Sequence, residues 1–250
     1  MARPPLQLIA RSRLARAAYR RARPGEPRLF SQKGQDFWII DDVFQGMRNG
    51  YFVDAGAYDG IWANNTYALE TALGWRGLCI EANPSAFVSL TRHRQCECIN
   101  VCLDETPGNV EFAFDGVLGG IVSDETDNRP ATRHERLERL ASESRILTLE
   151  AVPLGDLLDR HAAPAVIEYL SVDLEGAETR VLRSFPFDRY TFLAMTIERP
   201  TPELNRLLIE DNGYRFVRNV RYDTYYVHES FDGIERLRVE PFEQVPPKDW

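Results

Sequence analysis

Val53-Asp54-Ala55-Gly56-Ala57-Tyr58-Asp59-Gly60 decides the reading of this chain. Tyr51-Phe52-Val53 is a short apolar strand that runs into Asp54-Ala55-Gly56. Gly56 and Gly60 let the backbone turn sharply and let another group approach it closely. A helical segment over Asn65–Leu73 follows and stops at Gly74. Together these residues open a β-α-β unit, and the rest of the chain repeats its rhythm. Leu78–Ile80 is a second strand ending at Glu81, and Pro84 suits the first turn of a helix over Ser85–His93. Cys98–Leu103 reads as a third strand, and Asn109–Phe114 as another after a Pro107-Gly108 turn. Upstream, Ser31 is placed to cap a first helix running through Asp36, Trp38, Ile39 and Val43.

Residues 116–145 break the rhythm. They open on Gly116, Gly119 and Gly120, turn polar, and then become a charged helix around Arg133–Leu140. This stretch is too short for a core of its own and reads as an insertion, hinged by its glycines as a cover. Order returns with a helix over Val152–Asp159 and a strongly apolar strand over Val166–Val172. Next come a helix over Gly176–Arg183, a strand over Phe192–Ile197 ending at Glu198, and a helix over Leu204–Glu210. Tyr214–Val217 and Thr224–Val227 form a final antiparallel pair. Strands alternating with helices predict a Rossmann-like α/β fold: a mostly parallel seven-stranded sheet, covered on both faces, with an antiparallel final strand. Residues 29–250 form one domain, and residues 1–28 form a separate basic arm.

In such sheets ligands bind beyond the carboxyl ends of the strands. Here those ends carry Asp54, Glu81, Asp104, Asp173 and Glu198, all acidic. The first turn is not the G-x-G-x-x-G that offers backbone N–H groups to a pyrophosphate. Asp54 and Asp59 would repel a diphosphate and suit a ligand carrying positive charge. S-adenosylmethionine has a sulfonium and an ammonium and no phosphate. Glu81 stands where these folds use an acid to hold ribose hydroxyls, and Asp104-Glu105 is placed to meet an adenine amine. The residues assigned to the cofactor are Asp54, Gly56, Ala57, Tyr58, Asp59, Gly60, Asn65, Glu81, Ala82, Asn83, Asp104 and Asp173.

Leu170-Ser171-Val172-Asp173-Leu174-Glu175-Gly176-Ala177-Glu178 is the second constellation. Like charges this close at a cleft are costly unless they bind a cation or share a proton. Asp173 and Glu198 end adjacent strands and are the pair expected to remove an acceptor's proton, or to ligate a divalent ion such as Mg2+ that would lower its pKa. His134, in the insertion, and His228, at the end of the last strand, are the alternative bases. Glu178 also suits the first turn of the following helix.

The chain resembles the FkbM family of methyltransferases. The resemblance runs from about Ser31 to His228 and rests on ordered blocks: Ser31-Gln32-Lys33-Gly34-Gln35-Asp36, Phe52 to Gly60, Asn65-Thr66, Gly74-Trp75-Arg76-Gly77 leading to Ile80-Glu81-Ala82-Asn83-Pro84, and Ser171 to Glu178. It implies a class I methyltransferase fold and O-methylation, often of sugars or polyketides. It also implies a cofactor site containing Asp54, Gly56 and Glu81, with Asp173 on the floor of the cleft. A nicotinamide-dependent oxidoreductase and a non-catalytic S-adenosylmethionine-binding module are the rival readings.

Charge narrows the partners. Residues 1–28 carry eight Arg, no Lys and one acid, Glu26, so they sum to +7; the whole chain is −8, which leaves −15 for the remainder. An acidic body argues against nucleic acid as a partner and for a small-molecule or glycan acceptor. The arm reads as a solvated extension, with contact to an anionic membrane surface as the alternative. No apolar run is long enough to span a bilayer. The four cysteines, Cys79, Cys96, Cys98 and Cys102, match no usual zinc spacing, with or without His93. They read as reduced strand thiols, the last three sharing one face, in a cytoplasmic protein.

Overall fold

The computed structural model describes residues 29–246. The basic arm expected over residues 1–28 lies outside the described residues. Strand β1 (Tyr51–Ala55) pairs in parallel with β2 (Arg76–Ile80) on one side and with β8 (Val166–Val172) on the other. Beyond β2 lies β3 (Glu97–Ile99), and beyond β8 lies β9 (Thr191–Glu198), both parallel. The last two strands, β10 (Tyr214–Val220) and β11 (Asp223–His228), pair antiparallel, and β11 inserts between β10 and β9. The seven-stranded order is therefore β10-β11-β9-β8-β1-β2-β3, with the final strand antiparallel to both neighbours. This is the expected Rossmann-like sheet.

Side-chain alternation explains why both faces are covered. Val53, Ala55, Leu78, Ile80, Leu170 and Val172 point to one face. There they pack under helices α5 (Leu154–Arg160), α6 (Glu178–Arg183) and α7 (Pro202–Arg206). Phe52, Cys79 and Tyr169 point to the other face, under α1 (Gln35–Phe37) and its wider continuation Trp38–Val43, α2 (Tyr67–Leu73) and α3 (Pro84–His93). Each fully buried Leu, Ile or Phe contributes about 1.5–3 kcal/mol, so the two-faced core fixes the register of the central strands. Asp54 falls on the Phe52 side.

Three expectations change. The single strand over Cys98–Leu103 is two: β3 stays in the main sheet, and β4 (Cys102–Leu103) joins a second sheet, in which it pairs with β7 (Ile146–Val152), β7 with β5 (Gly108–Ala113) and β5 with β6 (Gly120–Ile121). The chain breaks at Asn100, whose side-chain amide donates to the Glu81 carbonyl at 2.7 Å. The cysteines consequently do not share a face: Cys96 and Cys98 pack with the α2–α3 side, while Cys102 belongs to a separate cluster with Phe112 and Ile121. A strand absent from the expectations, β7 (Ile146–Val152), carries the second sheet by pairing with β5 (Gly108–Ala113). Finally, the first helix starts at Gln35 behind a left-handed Gly34, not at Ser31. The Ser31 hydroxyl instead accepts from Gly34 N–H at 3.1 Å and donates to the buried Asp36.

Within residues 116–145, Gly120–Ile121 forms strand β6, which pairs with β5. Helix α4 (Pro130–Ser142) follows and buries only Leu137 and Leu140. Among the described residues no helix is long and apolar enough to cross a membrane.

Candidate active site

Parallel strands bring Ala55, Ile80, Val172 and Glu198 to one edge of the sheet. The loop after β1 folds back on that edge, where Gly56 and Ala57 both donate to the Ile80 carbonyl at 3.0 Å. Asp173 N–H donates to Ala55 O at 3.0 Å, which joins the two loops. Gly56 has φ +88, and a Cβ there would lie 2.0 Å from the Asp173 carbonyl oxygen. Only glycine fits both the dihedral and the contact. Gly60 (φ +80) lies against Leu90 and Arg94. The motif glycines therefore shape the loop.

Between these loops and the second sheet lies a cleft of about 300 Å3, at the lower end of ligand-sized cavities. Asp54, Gly56, Ala57, Tyr58, Asn65, Glu81, Ala82, Asn83, Asp173 and Glu198 all line it, so most of the expected residues come together. Glu81 is buried, and its carboxylate accepts from Tyr58 N–H at 2.8 Å and Asn83 N–H at 2.7 Å. A carboxylate has about four acceptor positions, so two remain for hydroxyl donors in the cleft. Burial raises the Glu81 pKa, and the two backbone donors oppose that rise. Asn65 donates to Ser171 Oγ at 2.9 Å, while its buried Oδ1 has no partner.

Asp54 is less open. Its carboxylate accepts from Asn64 Nδ2 at 2.8 Å and Thr66 Oγ1 at 2.7 Å. Arg94, its side chain wholly buried, stands 3.9 Å away and also pairs with Glu70. Burial raises the Asp54 pKa; the Arg94 guanidinium and the two hydrogen bonds lower it. Nothing in the sequence pairs Arg94 with Glu70, 24 positions away, and sequence reasoning missed it.

The floor is acidic. Carboxylate oxygens of Asp173, Glu175 and Glu198 lie within 4.8 Å of one another and could hold one metal ion. An all-oxygen set of this kind suits a hard divalent cation. Asp173 opens into the cleft but is enclosed by its walls. That enclosure, followed by the charges of Glu198, Glu175 and Asp223, pushes its carboxyl well above the usual range. Two cations counter the acids. Arg199 Nη1 lies 3.2 Å from Glu198, and Lys33 Nζ lies 2.9 Å from Asp223 and 3.9 Å from Glu198. Asp223, Lys33 and Arg199 were not expected here. Asp223 faces Glu198 because β11 is antiparallel and brings its amino end to this edge, so a search for acids at strand carboxyl ends passes over it. Lys33 arrives from the Ser31–Asp36 block.

Other expected residues lie apart from the cleft lining. Asp59 accepts from Ile61 and Trp62 N–H at 2.9 and 2.7 Å, closing its own turn. Asp104 is buried in a two-pronged pair with Arg180, both contacts at 2.8 Å, which occupies the carboxylate expected at adenine. His134 is exposed on α4, 3.3 Å from Glu138. His228 lies within 2.7 Å of Ser230 Oγ and against the Tyr214 ring. Neither histidine lines the cleft. Glu178 begins α6 as expected, but its buried side chain turns back to accept from Leu174 and Gly176 N–H at 2.8 and 3.3 Å, bracing the Asp173 loop. Residues 116–121 form the opposite wall, and Asp127 N–H donates to Glu175 O at 3.0 Å.

The chain is similar to several methyltransferases of known structure. Methyltransferase FkbM from Methylobacillus flagellatus KT is 15% identical, with 72% of this chain and 44% of that one covered and a TM-score of 0.44. Precorrin-6y C5,15-methyltransferase from Geobacter metallireducens GS-15 is 10% identical over 82% and 97%, with a TM-score of 0.39. Aeropyrum pernix fibrillarin in complex with natively bound S-adenosyl-L-methionine is 11% identical over 79% and 73%, with a TM-score of 0.37. The chain thus spans less than half the length of the first of these. No curated protein matches it significantly. The model of the methyltransferase FkbM domain matches residues 54–216, from Asp54 in β1 into β10 and over most of the cleft lining, and the chain accordingly belongs to the FkbM methyltransferase family.

Proposed function

We propose that this chain transfers the methyl group of S-adenosylmethionine to a hydroxyl of a sugar, polysaccharide or other secondary metabolite. The observation that carries this reading is Glu81: a buried carboxylate fixed by two backbone donors, with acceptor positions left over, beside the β1 turn. The donor chemistry of the cleft fits the cofactor. Carboxylates outnumber the cations Lys33 and Arg199 along its lining, which suits a sulfonium and an ammonium, and the unpaired Asn65 Oδ1 matches an ammonium donor. Glu81 would hold the ribose, and Ile80, Ala82 and Leu103 would flank the base.

When bound, the cofactor supplies a methyl group already activated by positive sulfur. The chain's own task is alignment and removal of the acceptor's proton, and alignment supplies much of the rate. Asp173 is the group for the proton. It lines the cleft, where a positioned carboxylate can accept the acceptor's proton, and Glu198 is held beside it by Arg199 and Lys33. A divalent ion would be held by Asp173, Glu175 and Glu198 and would lower the pKa of an acceptor hydroxyl. On the outer rim, Trp62, Val117 and Leu118 are exposed apolar residues lining the same cleft, a surface suited to the apolar face of an acceptor ring. Mass spectrometry of small molecules that co-purify with the chain tests the proposal. Adenosylhomocysteine or S-adenosylmethionine is expected, and a nicotinamide dinucleotide in their place would overturn it.

A further inference from the structure

Three of the four cysteines gather away from the cleft, at the β2–β3 edge. Cys79 lies on β2, opposite Cys98 on β3 in the parallel register. Cys96 lies on the bend just before β3, and its Sγ is 3.5 Å from Cys79 Sγ. Cys98 Sγ points back to the Cys96 carbonyl at 3.5 Å. Cys96 is half-buried and reachable from solvent, while Cys79 is fully buried. The Cys96 backbone N–H donates to Glu70 Oε1 at 2.6 Å, which holds its thiol beside Cys79.

We propose that Cys96 and Cys79 form a reversible oxidation site, with Cys96 as the reactive thiol and Cys79 as its resolving partner. The two sulfurs are already in contact at 3.5 Å, against a covalent separation of about 2.05 Å. The surroundings divide the roles between them. Contact with the Cys79 and Cys98 side chains, and the charge of Arg94, pull the Cys96 thiol down, whereas burial pushes Cys79 up. The thiolate, the attacking form, therefore sits on the accessible cysteine. The co-reactant is a hydroperoxide. Cys96 thiolate attacks one peroxide oxygen, the O–O bond breaks, and hydroxide leaves, giving a sulfenic acid. The released hydroxide takes the Cys79 proton as water, and the Cys79 thiolate attacks that sulfur; the S–S bond forms and the sulfenic oxygen departs as hydroxide. The two thiols lose two electrons and the peroxide gains them. A dithiol reductant reverses the step.

The site bears on the cleft through its neighbours. Cys79 pairs with Asp54 in the β1–β2 register, and Glu81 lies two residues beyond it. Arg94, two residues before Cys96, holds the Asn64-Thr66-Asp54 network.

The test treats the full-length native chain with hydrogen peroxide, alkylates the remaining thiols, and maps the peptides by mass spectrometry. Two of the four thiols are expected to disappear together, with Cys79 linked to Cys96 and both restored by dithiothreitol. Cys96→Ser is expected to retain its remaining thiols under the same treatment, and Cys98→Ser to form the link as the parent does. Linkage of Cys96 to Cys98, oxidation of Cys96 to a sulfinic acid without a link, or no thiol loss in excess peroxide would each overturn the proposal. Mapping of the parent chain decides the matter even if Cys96→Ser does not fold.

Discussion

Glu81 uses part of its acceptor capacity to fix its own loop and presents the rest to the cleft, so its charge can be removed while its shape is kept. Glu81→Gln should weaken S-adenosylmethionine binding about ten- to a hundred-fold, as expected for loss of a charge-assisted hydrogen bond of about 1.5–3 kcal/mol; unchanged affinity in a folded variant would remove Glu81 from the site. Asp173 is expected to behave in the opposite way. Asp173→Asn should lower single-turnover methylation at least about a hundred-fold while changing cofactor affinity less than about ten-fold, since a proton-accepting group acts mainly in the transition state. Loss of activity with a chelator and recovery with magnesium would assign Asp173 to an ion. Arg94 is a structural group beneath the site. Arg94→Met leaves Glu70 and Asp54 buried without their cation, and denaturant unfolding should show a loss of about 3–5 kcal/mol.

Among the elements, the crossing of the β1 and β8 loops sets the site's dimensions. Gly56→Ala puts a Cβ 2.0 Å from Asp173 O, so one of the two loops must shift. A stability loss of about 1–3 kcal/mol is expected, together with weakened cofactor binding; a variant equal to the parent in both would show that the loops are not rigidly joined. The 116–145 segment is anchored unevenly. Arg136 donates to Asp115 at 2.9 Å, Asn128 at 2.5 Å and Leu118 O at 2.9 Å, yet Gly116, Val117 and Leu118 stay exposed. Hydrogen exchange should be faster over 116–119 than over β5 and β7, and should slow when cofactor and acceptor bind. Equal protection in the free chain would mark the segment as a fixed wall. These elements also show what the sequence could reveal. Apolar strands ending in acids placed β1, β2, β8 and β9 and most of the cleft, because burial on both faces leaves a continuous signal. Strand β7 escaped because Leu147, Thr148 and Glu150 are exposed and Ile146–Val152 is covered on one side only. Asp223, Lys33 and Arg199 escaped because only antiparallel insertion and long-range packing bring them to the floor.

At the scale of the whole molecule, an acidic body concentrates carboxylates in its interior, and this has a consequence for stability. Burial raises the pKa values of Asp36 and Asp54, and that of Glu178 to about 8. A carboxyl whose folded pKa lies above its unfolded value favours folding while it is protonated, and that contribution is lost as pH rises through the folded pKa. Unfolding free energy should therefore fall as pH rises from about 5 to about 8, with Glu178→Gln flattening the decline; a rise over that window would contradict the assignment. A cationic ligand at the floor should offset part of the same charge burden by binding only the folded state. The most direct test of the central claim is a calorimetric titration of the full-length chain with S-adenosylmethionine and, separately, with NADH. Saturable one-to-one binding of S-adenosylmethionine, weakened in Glu81→Gln, with no heat from NADH, is the predicted result; binding of NADH with none of S-adenosylmethionine would contradict it.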